Sequence, residues 1–138
     1  MNVVVIDGQG GGIGRALIER ILSKLPDVEP RAVGTNAIAT SAMLKAGAKQ
    51  GATGENAVRV CANEADVILG PIGIIVADSM MGEITSTIAQ TIGASRARKI
   101  LIPSAKCSAY VAGTAGQGVQ VLIEDAIQRL DSILHGQT

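Results

Sequence analysis

The opening of this chain leaves it few ways to fold. Val3, Val4, Val5 and Ile6 form an unbroken β-branched run, the pattern of a strand covered on both faces in a parallel sheet. Five glycines then fall within seven positions: Gly8, Gly10, Gly11, Gly12 and Gly14. A backbone without Cβ can turn left-handed and can let a ligand approach closely. A helical stripe follows at once, with Ala16, Leu17, Ile21, Leu22 and Leu25 on one side and Arg15, Glu19, Arg20 and Lys24 largely away from it. Strand, glycine turn and helix in this order aim the free N–H groups and the positive dipole end of the helix back at the turn. Such an end suits an anion, most often a phosphate.

The spacing discriminates between two loop patterns. Read as GxGxxG, Gly8 and Gly10 fit but the third glycine falls on Ile13; read as GxxxGxG, Gly8, Gly12 and Gly14 all fit. The second spacing resembles the cofactor loop of short-chain dehydrogenases, which implies a doubly wound sheet binding NAD or NADP. Asp7 departs from that family, which usually has threonine there. Its charge would repel a pyrophosphate unless it turns away, bonds a ribose hydroxyl or holds a metal. A glycine turn that only packs a helix tightly on a strand stays open as the alternative.

At 138 residues the chain is expected to form one domain, a single Rossmann-like nucleotide-binding unit with no room for a separate substrate domain. Its 12 basic and 12 acidic residues cancel, so no electrostatic footprint points to nucleic acid or an anionic membrane. Phe and Trp are absent and Tyr110 is the single aromatic residue, which removes the usual platform for stacking bases. Cys61 and Cys107 stand far apart with no CxxC partner, as expected of reduced structural thiols, and no metal-ligand spacing is present. The short apolar run at the N-terminus has no basic region before it, and no stretch reaches the about 20 apolar residues of a membrane span. A cytoplasmic protein is the expectation.

The remaining elements alternate. Arg31 to Gly34 reads as a second strand, Ala37 to Ala46 as a helix capped by Thr35 or Asn36 and closed by Gly47, and Gln50 to Ala52 as a third strand. A helix from Glu55 to about Asn63 leads to a fourth strand, Asp66 to Leu69. Ile74 to Met81 reads as a further helix opened by Pro71, and Ile84, Ile88 and Ile92 mark another that ends near Gly93. Ile100 to Pro103 gives a fifth strand, Tyr110 to Ala112 a short sixth, and Val119 to Leu134 a final amphipathic helix. The fold class is therefore α/β, a three-layer doubly wound and mostly parallel sheet of five or six strands.

In that arrangement a ligand sits outside the carboxyl ends of the strands, between the loops after strands one and four. Gly70, Pro71, Ile72 and Gly73 then form the wall facing the glycine loop. An acidic residue at the end of strand two selects NAD and a basic one NADP; here Gly34, Thr35 and Asn36 carry neither charge. Thr35 and Asn36 can bond a ribose or a 2′-phosphate, or simply cap a helix. Asp78 and Glu83 are carboxylates among apolar neighbours, where a raised pKa or helix capping is expected. Ser104 and Lys106 follow the fifth strand and can reach the pocket or form a surface turn, and His135 sits at a helix end that favours its charged form.

Taken together, IDGQGGGIG, GTNAIATSAMLKAGA, GATGENAV, GPIGIIVADSMMGEIT and KILIP resemble a small bacterial family catalogued as a domain of unknown function. The resemblance covers nearly the full length. It implies a stand-alone Rossmann-like protein with a link to NAD or NADP, and it carries no catalytic residues over.

Whether the chain is an enzyme stays open, because no catalytic constellation is evident. Short-chain dehydrogenases use a tyrosine with a lysine four residues later, whereas Tyr110 is followed by Thr114 and preceded by Lys106. No Gly-Lys-Ser/Thr ending completes the loop either. The preferred expectation is a module that binds a phosphate-bearing small molecule on Asp7, Gly8, Gln9, Gly10, Gly11, Gly12, Ile13 and Gly14, flanked by Thr35 and Asn36 and by Gly70 to Gly73. A small enzyme using Asp7, Asp78 or Glu83, and an assembly protein with a ligand-free loop, are the alternatives. Six large apolar residues, Ile72, Ile74, Ile75, Val76, Met80 and Met81, crowd ten positions. More of them than one sheet can cover points to a homo-oligomer.

Overall fold

The computed structural model describes residues 1–104 and 108–136. At its centre β1 (Val3–Asp7) is buried along its whole length. It pairs in parallel with β2 (Arg31–Gly34) on one side and β4 (Val67–Pro71) on the other. β3 (Gln50–Thr53) extends the sheet beyond β2, and β5 (Arg98–Ile102) extends it beyond β4. The order β3-β2-β1-β4-β5, parallel throughout, reverses direction between β1 and β4, which is where a doubly wound sheet opens its crevice.

Alternation along β1 divides the core into two layers. Val3 and Val5 face Leu17, Ile18 and Ile21 of α1 (Gly12–Lys24), Met43 of α2 (Ala37–Lys45), and Ile123, Ile127 and Leu130 of α5 (Val119–Leu134). Val4 and Ile6 face the opposite cluster, with Val58 and Ala62 of α3 (Glu55–Glu64) and Ile88 and Ile92 of α4 (Ser86–Ala94). Helices thus cover both faces, and the three-layer α/β fold expected from the sequence is present, with five strands among the described residues. Full burial of each Leu or Ile contributes about 1.5–3 kcal/mol, so aliphatic side chains alone supply the core of this nearly aromatic-free chain.

Two elements differ from the sequence reading. Ile74 to Met81 is not a helix: Ile72–Ile75 makes one 3-10 turn and Val76 is extended. Asp78 (φ 66°), Met80 (φ 56°), Met81 (φ 55°) and Gly82 (φ 90°) are left-handed, a conformation that no right-handed helix can hold. The proposed sixth strand at Tyr110 to Ala112 is also absent. The sheet ends at β5, Tyr110 is exposed, and the turns after it are tied by Thr114 N–H to Val111 O at 3.3 Å and Gln117 N–H to Thr114 O at 3.1 Å.

The apolar stretch after β4 is also better covered than its composition implies. Ile74 is fully buried, Ile72, Val76 and Met80 are half-buried, and only Ile75 and Met81 are exposed, Met81 at 96%.

Candidate functional site

Different forces keep the five clustered glycines. Gly11 sits at φ 72° as the left-handed residue before α1, and a Cβ there would meet the Ala39 backbone at 2.9 Å. At Gly14 a Cβ would come within 2.9 Å of Asp7 Cβ and 2.7 Å of Met43 Sδ, so glycine lets α1 lie close on β1. At Gly8 it would meet Thr35 Oγ1 at 2.6 Å and Met80 Sδ at 2.7 Å. Gly10 and Gly12 are unlike these: neither has a positive φ, and a Cβ on either would find nothing within 4 Å. Nothing in the protein's own packing requires glycine at these two positions. Both border open space, and both line a cavity.

That cavity, of about 280 Å³, lies over the glycine turn at the carboxyl ends of β1 and β4. Of the residues expected to bind, Asp7, Gly8, Gln9, Gly10, Gly11, Gly12, Ile13, Pro71 and Gly73 line it. Gly14 is buried behind the turn. Gly70 also stays out of the lining, and a Cβ on it would run into the Ile6 carbonyl oxygen of the adjacent strand. Ile72, Thr35 and Asn36 are likewise outside it.

Asp7 lines the cavity and also braces the turn beneath it. Its Oδ1 accepts the Gly8 N–H and its Oδ2 the Gly14 N–H, each at 2.7 Å. A buried carboxylate thus caps the first turn of α1 from within, where negative charge is favoured. Gln9 N–H is taken at 2.9 Å by Glu83 Oε1. The Gly10, Gly12 and Ile13 N–H groups have no acceptor among the described residues, so they are the donors left for a ligand at this turn.

Thr35 and Asn36 are engaged elsewhere. Thr35 Oγ1 and Asn36 Nδ2 each donate to Glu83 Oε1 at 2.8 Å. Asn36 Nδ2 also reaches the Gln9 carbonyl at 3.0 Å, while its Oδ1 accepts the Ala39 N–H as the cap of α2. Neither the raised pKa nor the helix capping expected of Glu83 describes it: its carboxylate is held by Gln9, Thr35 and Asn36, and Thr85 caps the following helix. Asp78 is exposed. At Glu83, partial desolvation pushes the carboxyl up, but the Gln9 N–H and the Thr35 and Asn36 donors outweigh it and hold the group below the ordinary glutamate range.

A family model described as a domain of unknown function (DUF3842) matches residues 2–135. The chain belongs to this family. Among solved structures, a dodecameric FMN-dependent UbiX-like decarboxylase from Escherichia coli O157:H7 is similar at a TM-score of 0.48 and 14% identity, over 96% of this chain and 94% of that one. No curated protein matches the sequence.

In this family member the cavity wall includes Ser79 and Met80, which the sequence reading did not place there. Ser79 Oγ donates to the Gly73 carbonyl at 2.5 Å, and Met80 rests against Gly8 and Gly73. Both belong to a loop closed by Asp78 N–H to Ile84 O at 2.7 Å and Ile84 N–H to Ser79 O at 3.3 Å. Gly82, with Asp78, Ser79 and Glu83 interrupting the apolar residues around it, is the sequence signal available for such a loop. Ser104 lines the cavity from the end of β5, whereas Lys106 and Cys107 lie outside the described residues. Tyr110 lines a neighbouring cavity instead. Burial raises the pKa of the half-buried Cys61 thiol against the opposing pull of Arg31, the condition of an inert structural cysteine. Among the described residues, no three His, Cys, Asp or Glu side chains are grouped to hold a metal ion, and no helix is long and apolar enough to cross a membrane.

Proposed function

We propose that this protein binds a phosphate-bearing small molecule, a nucleotide such as NAD or NADP, with a phosphate on the Gly10, Gly12 and Ile13 N–H groups. The observation that carries this reading is the pair Gly10 and Gly12. Their glycine identity has no explanation in backbone angle or packing, and close approach of a ligand supplies one. The helix dipole adds a favourable field for the phosphate. A cavity of about 280 Å³ is close to the lower bound of small-molecule sites, about 300 Å³. It holds the half of a dinucleotide nearer Pro71, Gly73, Ser79 and Ser104, and the other half runs past Gln9 toward the end of β2.

Calorimetric titration of NAD, NADH, NADP, NADPH, ATP and AMP into wild type and Gly12→Val tests the reading. At least one nucleotide binds wild type, and Gly12→Val abolishes that binding while leaving the circular-dichroism spectrum intact. Absence of any binding to wild type overturns the reading, and so does binding that survives in the variant. We propose also that copies of the chain associate through the exposed Met81 and Ile75 beside the site.

A further inference from the structure

The end of β2 is where a dinucleotide site discriminates its ribose, by carrying or lacking a negative charge. Gly34, Thr35 and Asn36 bring no charge of their own. The fold nonetheless delivers one there, from far along the chain. Glu83 Oε1 stands 2.8 Å from Thr35 Oγ1, 2.8 Å from Asn36 Nδ2 and 2.9 Å from Gln9 N.

All three donors converge on that one oxygen. The second oxygen, Oε2, has no hydrogen-bond partner among the described residues. The carboxylate is therefore fixed in place at one atom and available at the other. It is also close to the phosphate-binding turn, since a Cβ on Gly8 would lie 3.1 Å from Oε1. Thr35 and Asn36 have their donors committed to Glu83 and Gln9, which makes them positioning residues for the carboxylate.

We infer, on the nucleotide reading above, that Glu83 reads the ribose: Oε2 accepts from a free ribose hydroxyl, so the site takes NAD-type ligands and rejects those carrying a 2′-phosphate. A ribose diol offers O–H donors to a carboxylate. A 2′-phosphate offers only acceptors and negative charge at the same place. A like charge within about 4–6 Å disfavours an ionised state by one to a few powers of ten. The low pKa of Glu83 keeps it charged at neutral pH.

The test compares NADH with NADPH, and AMP with adenosine 2′,5′-bisphosphate, by titration into wild type and Glu83→Gln. Wild type favours the ligand without the 2′-phosphate by about tenfold or more. In Glu83→Gln the preference falls to within about threefold or reverses, because the amide keeps an acceptor oxygen for the three donors while losing the charge. A purely structural role would weaken both ligands alike and leave the ratio unchanged, and that result overturns the inference. So does a wild type that binds both ligands equally or prefers the 2′-phosphate, a comparison that needs no variant at all. If none of the four ligands binds wild type, the inference fails, and the nucleotide reading fails with it when NAD, NADP and ATP also give no binding.

Discussion

Asp7 braces the glycine turn from its own strand, and Glu83 braces it from 74 positions away at Gln9. The second brace makes a pH-dependent contribution whose sign follows from its pKa. The folded-state carboxyl titrates below its ordinary value, so it holds fewer protons than the unfolded one across the acidic range. Its stabilisation is fully present above the unfolded value of about 4.3 and is lost as pH falls through the lower folded value. Urea denaturation of wild type and Glu83→Gln between neutral pH and pH 3 reads this directly. The stability difference is constant near neutrality and shrinks in acid. A difference that stays constant down to the lowest pH would mean that the three donors do not favour the charged form. Asp66, whose carboxyl is lowered chiefly by the Asn2 N–H, titrates in both proteins and drops out of the comparison.

At the scale of elements, the contact of β1 with α1 depends on which glycine is altered. Gly14→Ala drives a methyl against Asp7 and Met43, and overpacking of this kind costs about 1–3 kcal/mol. Gly12→Ala points its methyl into open space and is expected within about 0.5 kcal/mol of wild type. Denaturation midpoints of the two variants check the contrast; equal losses would show that the turn, not helix–strand packing, sets the cost. The strands and helices around this contact are legible because their signals are local: a β-branched run for β1, the helical stripes of α1 and α5, and a cap for α2 at Thr35 or Asn36, of which Asn36 serves. Residues 76 to 84 are not. The stretch from Ile74 to Met81 reads as a helix, whereas the left-handed backbone at Asp78, Met80, Met81 and Gly82 is held by tertiary contacts, with Ile84 fully buried and Met80 against Gly8. The same loop carries Glu83 to the end of β2. A carboxylate supplied by a loop after β4 leaves no trace in the residues that follow β2, so the sequence there reads as uncharged.

At the scale of the whole molecule, the parallel order β3-β2-β1-β4-β5 gathers every strand's carboxyl end on one rim, and the loop after β4 projects there. Met81 on that loop is 96% exposed in a left-handed conformation at φ 55°. A side chain in that conformation costs about 1–2 kcal/mol, and in one isolated chain no packing offsets it. Burial of a methionine against another copy is worth about 1.5–3 kcal/mol, enough to offset the conformational cost, and the exposed Ile75 adds apolar area nearby. Self-association through this rim is therefore expected, with a two-fold pairing of the same patch as its simplest form. Light scattering coupled to size-exclusion chromatography checks it. Wild type elutes as a closed assembly, and Met81→Glu, which places a charge in the contact without touching the core, shifts it toward monomer. A monomeric wild type rules the association out, and an assembly unchanged in Met81→Glu places the interface on another face.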